Sequence, residues 1–198
     1  MTAPLTRRAF LGSVASIAIL SAMPAFAVTL NAARSLVDGL VADVNTVIAS
    51  GAAESAMLDQ FERIFDRYAD VPTIARYALG SDARNASQAQ LRNFTAAFRT
   101  YIARKYGRRF REFIGGYVRV KEARDIPSGV EVETEALLQG TSPFRVDFHV
   151  GDQTGQPLFF NIIIEGVNML LSERAEVQAM LDARGRNIDR LIAELPQA

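Results

Sequence analysis

The chain has 198 residues, with 22 basic and 22 acidic side chains, one histidine, no cysteine and no tryptophan. This length suits a single domain, and a hydrophobic content of 49% excludes a chain that is disordered throughout. The absence of cysteine excludes disulfides, thiolate metal sites and a cysteine nucleophile, and a single histidine excludes a multi-histidine metal site. Balanced charge argues against nucleic acid as a partner.

Residues 1–27 have the pattern of an export signal. An arginine pair precedes an apolar stretch over residues 9–23, and Ala25-Phe26-Ala27 supplies a small-x-small cleavage site. The segment Thr6-Arg7-Arg8-Ala9-Phe10-Leu11 resembles the twin-arginine motif of bacterial signals, although arginine pairs also occur in general secretory signals. We therefore expect a signal peptide at 1–27, of one type or the other, and a single exported domain at 28–198.

Four helical segments are predicted in the first half of this domain. Apolar residues recur every three or four positions from Leu30 to Gly51 and again from Glu54 to Asp70. Pro72 and Gly80 delimit a short third helix, because proline suits the first helical turn and glycine suits a helix end. A capping box, Ser87-Gln88-Ala89-Gln90, opens the longest helix, which is predicted to end at Gly115-Gly116.

One face of the longest predicted helix carries an aromatic stripe. Its members are Leu91, Phe94, Phe98, Tyr101, Ile102, Tyr106, Phe110 and Phe113. Taken alone, a stripe with this spacing indicates a packed core.

The period of the apolar residues then changes from 3.6 to 2, which predicts β-strands. Apolar and charged residues alternate in 118–121, 130–135 and 144–149, with turn-forming segments between them, and an apolar fourth strand is predicted at Leu158–Glu165. Short connections indicate an antiparallel meander with one apolar face and one face in solvent.

Two short helices, at Ser172–Ala183 and Asn187–Leu195, are predicted to close the chain. The predicted fold class is therefore α+β. A curved antiparallel sheet of about four strands has helices packed on one face.

Several segments, taken in order, resemble one protein family. Phe65–Gly80 resembles the "hyDhpxhARxxLG" segment of the MlaC or toluene-tolerance family of periplasmic phospholipid-binding proteins. Phe94–Tyr101 is similar to the family's "F..AF...L" helix, Ile164–Leu170 to its "i.GVSl" segment, and Gly185–Leu195 to its closing "G.d.Li..L" pattern. The resemblance spans nearly the whole chain after residue 27, and its specificity lies in the order of the segments.

The chain also departs from the family pattern. Family members usually have a tryptophan in the fourth strand, where this chain reads Leu158-Phe159-Phe160-Asn161. Asn168 replaces a usual serine, and the segment at 172–176 differs from the usual Tyr-Arg-x-Gln-Phe. These departures do not change the inferred fold. They leave the identity of the ligand open, because a divergent branch of the family, such as the members associated with hopanoid lipids, would differ from the usual pattern in this way.

The resemblance implies a soluble, monomeric carrier in the periplasm, and not an enzyme. It would receive one phospholipid, or a related diacyl or terpenoid lipid, at one membrane and deliver it at the other. The implied partners are an outer-membrane lipoprotein complex and an inner-membrane ABC transporter complex, in a system that maintains the lipid asymmetry of the outer membrane. No cofactor, metal or stable membrane insertion is implied.

A carrier of this kind needs a deep, dry cavity. Roughly 28 methylene groups at about 0.8 kcal/mol each correspond to about 22 kcal/mol of apolar burial, most of which the protein must replace. The residues that we expect to line the cavity include no ionisable group other than tyrosine hydroxyls. The same residues would also serve as an ordinary filled core. The expected lining residues are Phe65, Tyr68, Ile74, Tyr77, Phe94, Phe98, Tyr101, Ile102, Val118, Val132, Phe144, Val146 and Phe148.

Basic residues crowd the second half of the longest predicted helix. Arg104, Arg108 and Arg111 share one face of it. They favour two interpretations: a solvated face that suits a helix C-terminus, or a surface that docks on an acidic partner or on anionic headgroups.

Two functions of other classes stay open. One is a small α+β enzyme with an apolar substrate pocket and a buried polar residue as its base, which a buried ionisable group inside the cavity would support. In another enzyme interpretation, His149 would be a base oriented by Asp147, which lies about 7 Å away along the same strand, on the face assigned to solvent. No motif supplies a nucleophile, a phosphate-binding loop or metal-ligand spacing. An adaptor with a solid core would carry no extractable ligand.

Overall fold

The computed structural model describes residues 28–107 and 115–197, so the predicted export signal lies outside the described residues. Short 3₁₀ turns at Gly80–Arg84 and Leu195–Gln197 follow the third and the last helix. In chain order the elements are helices α1 (Leu30–Ala49), α2 (Glu54–Tyr68), α3 (Val71–Leu79) and α4 (Gln88–Gly107), strands β1 (Tyr117–Ile126), β2 (Gly129–Leu137), β3 (Phe144–Gly151), β4 (Leu158–Ile164) and β5 (Val167–Asn168), and helices α5 (Met169–Asp182) and α6 (Ile188–Glu194).

The chain breaks between α2 and α3, as the sequence predicts. Pro72 lies in the first turn of α3, where its missing N–H leaves no helical hydrogen bond unmade. The Asp70 carboxylate caps the helix by accepting a hydrogen bond of 3.1 Å from the Thr73 amide. The preceding residue, Ala69, forms a parallel β-bridge with Phe159 of β4, so this break is attached to the sheet.

The capping box predicted for α4 is present. The amide of Ser87 donates to Oε1 of Gln90 at 3.0 Å, and the amide of Gln90 donates to Oγ of Ser87 at 3.1 Å. The part of the predicted helix at 108–114, with Phe110 and Phe113, lies outside the described residues.

The strands form one antiparallel sheet in the order β1-β2-β3-β4-β5, the predicted meander. The sequence analysis predicted about four strands and did not identify β5, because two residues are too few to show an alternation. Glu165 (φ 48°) and Gly166 (φ 79°) form the two-residue turn that pairs Ile164 with Val167. Both turn residues are in the left-handed region, which suits a tight hairpin.

The last two helices begin at asparagine caps. Helix α5 begins at Met169 and not at the predicted Ser172, because Oδ1 of Asn168 accepts a hydrogen bond of 3.1 Å from the Leu171 amide. Oδ1 of Asn187 likewise accepts a hydrogen bond of 3.0 Å from the Arg190 amide at the start of α6. Asparagine is among the strongest N-cap residues, so these local contacts set both starts.

The helices lie against one face of the sheet, which confirms the predicted α+β class. Helix α1 packs across β1 and β2, and α3 and α5 pack against β4. Helix α4 packs against α2, α3 and α6, farther from the strands. Helices α1, α3 and α5 therefore lie next to the sheet, and α4 lies beyond them. This layering decides which side chains reach the space above the sheet.

The outer face of the sheet differs from the predicted solvent-facing side. Arg145 on β3 contacts Glu131 (3.2 Å), Glu133 (3.1 Å) and Asp147 (2.8 Å), and Arg124 on β1 contacts Glu131 (2.5 Å). In these ion pairs the arginine side chains cover the carboxylates, so the side chains of Glu131 and Asp147 are each only 9% exposed. Long arginine side chains lying across the strands exclude water from the carboxylates.

Candidate functional site

An apolar cavity of about 590 Å³, partly open to solvent, lies between the inner face of the sheet and the helices. A space this large is unusual in a protein interior, which is normally packed about as closely as an organic crystal. Helices α1 to α5 and all five strands contribute to its wall. The lining residues are Leu40, Val41, Val44, Phe61, Ile64, Phe65, Ile74, Ile102, Ala103, Tyr106, Gly107, Val118, Ala136, Leu138, Phe144, Val146, Phe148, Phe159, Phe160, Asn161, Ile162, Ile164, Val167, Met169, Leu170 and Glu173.

Seven of the thirteen expected lining residues are in this wall. They come from both sides of the α2–α3 break, from the last turns of α4 and from the inner face of the sheet. These residues are Phe65, Ile74, Ile102, Val118, Phe144, Val146 and Phe148. The period-2 pattern of β3 places its three members on one face, as the sequence analysis expects.

Three other expected residues belong to the packed core instead. Phe94, Phe98 and Val132 are fully buried and do not line the cavity. The rings of Phe94 and Phe98 lie 5.8 Å apart within the aromatic stripe of α4. Because α4 packs against α2, α3 and α6, most of its stripe fills the interface between helices, and its last two turns reach the cavity.

The three remaining expected residues are tyrosines whose hydroxyl groups or rings have polar partners elsewhere. The Tyr68 hydroxyl donates to Asp43 at 2.8 Å, and the Tyr101 hydroxyl donates to Glu176 at 2.9 Å. Tyr77 is 36% exposed and stacks under the guanidinium of Arg174. The polar partner of a tyrosine orients the tyrosine side chain, and the spacing of apolar residues in the sequence does not reveal such a partner.

Phe159 of β4 is the aromatic residue that joins the two walls. Its ring meets Phe148 of β3 edge to face at 5.6 Å and Phe65 of α2 at 6.2 Å. The sequence analysis missed Phe159, together with Leu40 and Val44 of α1. The only available signal was their apolar spacing, and that spacing does not distinguish a cavity wall from a filled core.

The described wall contains a carboxylate, which is absent from the predicted lining residues and is the kind of buried ionisable group that the enzyme alternative would need. Glu173 of α5 lies in the wall beside Tyr106 of α4, with its side chain only 5% exposed. One of its oxygens, Oε1, accepts hydrogen bonds from the Tyr106 hydroxyl and from Nζ of Lys105, the latter at 2.8 Å. Lys105 also donates to Glu176 at 2.5 Å and to the hydroxyl of Tyr101 at 3.2 Å.

We call Tyr101, Lys105, Tyr106, Glu173 and Glu176 the polar cluster. Burial and the charge of Glu173 raise the pKa of Tyr101 to about 12, and burial together with the bond to Glu173 raises the pKa of Tyr106. Burial alone would lower the pKa of Lys105, but its bonds to the two glutamates outweigh burial and raise it. These three groups therefore keep their protons at neutral pH, and none of them is suited to act as a general base.

The residues of the enzyme interpretation lie away from the cavity. His149 and Asp147 alternate along β3 with Val146 and Phe148, whose side chains line the cavity, and so they lie on the opposite face. His149 contacts Glu131 at 3.2 Å, whereas both oxygens of Asp147 accept from Arg145, at 2.8 and 2.9 Å. Asp147 therefore does not orient His149.

The proposed docking arginines are described only in part. Nη1 of Arg104 donates a hydrogen bond of 2.7 Å to the carbonyl oxygen of Pro196. Arg108 and Arg111 lie outside the described residues. In the described part of the chain, no helix is long and apolar enough to cross a membrane. The same part contains no group of three or more histidine or carboxylate side chains able to hold a metal ion.

Comparison with known proteins agrees with this architecture. Residues 35–197 match the family model described as MlaC protein. The structure of a phospholipid-binding protein from Ralstonia solanacearum, solved in complex with a phospholipid, superposes with a TM-score of 0.70 at 19% identity, covering 83% of this chain and 95% of that one. Because the family model matches most of the sequence, the chain belongs to the MlaC family.

Proposed function

We propose that this protein is a phospholipid-binding carrier that holds the acyl chains of one lipid in the apolar cavity. The observation that carries the proposal is the wall itself. Among the 26 lining residues in the described part of the chain, only Tyr106, Asn161 and Glu173 have polar side chains. An unfilled apolar space of this size forfeits packing energy, and acyl chains would restore it. The related Ralstonia protein, which was solved with a phospholipid, supports this choice of ligand.

The wider role is the one that the family resemblance implies. The protein would be exported by the signal at 1–27 and would act in the periplasm as a monomeric carrier. It would move lipid between an outer-membrane lipoprotein complex and an inner-membrane ABC transporter complex. The face with Arg104, Arg108 and Arg111 would dock on one of these partners. Binding and release suffice for such a role, and no catalytic step is required.

Native mass spectrometry of the mildly purified protein tests the binding step. We expect a bound mass on each molecule that disappears after organic extraction, and mass spectrometry of the extract identifies the lipid. A protein that carries no lipid and takes none up from phospholipid vesicles would contradict the carrier function. That result would favour an adaptor that needs no ligand.

A further inference from the structure

The side-chain amide of Asn161 on β4 is hydrogen-bonded at one end only. The residue lines the cavity and is only 6% exposed. Its Oδ1 accepts a hydrogen bond of 3.1 Å from the Leu170 amide, which fixes how the group is turned. Its Nδ2 has no hydrogen-bond partner within the described residues. A buried N–H group without a partner costs free energy, so an acceptor that a ligand brought to it would bind favourably.

Nδ2 of Asn161 is also accessible. Oε2 of Glu173 lacks a partner too, but it is sealed inside the protein, whereas Nδ2 of Asn161 is not. Among the other polar side chains of the described wall, the Tyr106 hydroxyl already donates to Glu173. The side-chain donor that the described wall offers to a ligand is therefore Nδ2 of Asn161.

A β-bulge in β4 positions this residue. Val150 pairs with Phe159 and the preceding His149 pairs with Asn161, so Phe160 is an extra residue in β4. The ring of Phe160 lies 5.9 Å from His149, on the outer face of the sheet. A bulge re-aims the side chains beside it, and here the Asn161 amide reaches the first turn of α5.

Asn161 lies close to a point where the cavity meets the protein surface. Val167 of β5 lines the cavity and is 55% exposed. Leu170, which donates to Asn161, also lines the cavity, and the next residue, Leu171, is 53% exposed. The free N–H groups of Asn161 therefore lie just inside an apolar rim formed by β5 and the start of α5.

The acceptor that suits this position is neutral. A phosphate group would lose its hydration at an apolar wall and gain a single amide donor, so it is better left in solvent outside the rim. An ester carbonyl oxygen is uncharged, and it begins the acyl chain that enters the cavity. It also needs a donor once it has left water.

We propose that Nδ2 of Asn161 donates a hydrogen bond to an ester carbonyl oxygen of the bound lipid. This inference rests on the proposed carrier function and adds a ligand preference to it. Lipids with ester-linked chains are bound in preference to lipids with ether-linked chains, because an ether has no carbonyl and leaves Nδ2 unpaired. The headgroup stays outside the cavity and does not determine this preference.

A competition between matched lipids tests the proposal. Delipidated protein is incubated with vesicles that contain equal amounts of dioleoyl phosphatidylcholine and its dioleyl ether analogue. The two lipids share the headgroup and the chain length and differ in the carbonyl groups. Mass spectrometry quantifies the lipids bound to the protein. We expect roughly fivefold enrichment of the ester lipid, the order expected for one neutral hydrogen bond.

Three variants assign the preference to Asn161. Asn161→Asp keeps an acceptor for the Leu170 amide, has no N–H group to donate and should lose the enrichment. Asn161→Leu removes the donor without adding a charge and should lose it as well. Asn168→Asp is the matched control, because Asn168 also caps the start of α5 but lies outside the described cavity wall. It should keep the enrichment, and thermal unfolding checks that each variant is folded.

Failure of this inference differs from failure of the carrier function. Equal loading of the ester and the ether lipid by the parent protein would overturn the role of Asn161 and leave the carrier function standing. Enrichment that persists in both Asn161 variants, or that Asn168→Asp also loses, would overturn it too. If the parent protein loads neither lipid, the carrier function itself fails.

Discussion

The backbone amide of Asp70 donates a hydrogen bond of 2.8 Å to the carbonyl oxygen of Phe159. This bond joins the break between α2 and α3 to strand β4. Phe65, before the break, and Ile74, after it, both line the cavity, as does Phe159 itself. The bond thus holds the helical wall of the cavity against the wall formed by the sheet.

The side chain of Asp70 makes a separate and testable contribution as the cap of α3. Replacing Asp70 with Ala removes the acceptor for the Thr73 amide and should lower the free energy of unfolding by about 1 kcal/mol. Asp70→Asn keeps an acceptor oxygen and is the control, expected to be closer to the parent. Urea denaturation measures both variants. If both variants lose the same free energy of unfolding, the charge of buried Asp70 stabilises the protein and its hydrogen bond to the Thr73 amide does not.

Ile74 and Phe98 should respond differently to a charge, because Ile74 lines the cavity and Phe98 is fully buried. Ile74→Asp should remain folded and load much less lipid, since the carboxylate has no partner in the apolar wall. Phe98→Asp should unfold the protein, and even Phe98→Ala should cost about 3–5 kcal/mol. Circular dichroism and lipid quantification separate these outcomes. If Ile74→Asp unfolds while Ile74→Ala folds, Ile74 belongs to the core.

The polar cluster predicts a loss of stability at alkaline pH. The pKa of Tyr101 is about 12 in the folded protein against an ordinary value near 10, so the folded state holds a proton that the unfolded state releases. The part of the free energy of unfolding that depends on this proton is therefore fully present below pH 10. It is lost as the pH rises toward 12, and the loss is on the order of 2 kcal/mol. The raised pKa of Tyr106 acts in the same direction.

Denaturant unfolding at a series of pH values from 8 to 12 measures this effect. Tyr101→Phe should have a shallower decline than the parent over the upper part of the range, because the variant has no proton to lose there. Tyr77→Phe is a suitable control, since Tyr77 lies outside the cluster and is partly exposed. Parallel declines in the parent and Tyr101→Phe would contradict the proposed coupling.

The proposed docking face can be tested by reversing its charge. A variant with Arg104, Arg108 and Arg111 all replaced by Glu should transfer lipid more slowly to the proposed membrane complex while retaining bound lipid normally. Transfer by the parent should weaken as salt increases, because surface charges are screened over about 8 Å at physiological ionic strength. The variant should lose that dependence. Normal transfer by the variant at low and high salt would place docking elsewhere.

Local sequence patterns were sufficient for most of the secondary structure. The capping box at Ser87, the break at Pro72 and the alternation along β3 each depend on neighbours within a few residues. Where α5 was predicted to start too late, the missing information was also local, because Asn168 caps the helix through an amide three residues away. Such features follow from backbone geometry and short-range hydrogen bonding, which the order of residues specifies directly.

The cavity and its polar cluster were decided by tertiary packing. A cavity wall and a filled core both require apolar residues at the same spacing, so the pattern on α4 could not show that Phe98 would be core and Ile102 wall. That choice depends on how α4 rotates against α2, α3 and α6. Glu173 meets Lys105 and Tyr106 across 68 and 67 residues of sequence. No local pattern specifies such a contact, because it exists only once α5 has packed beside α4.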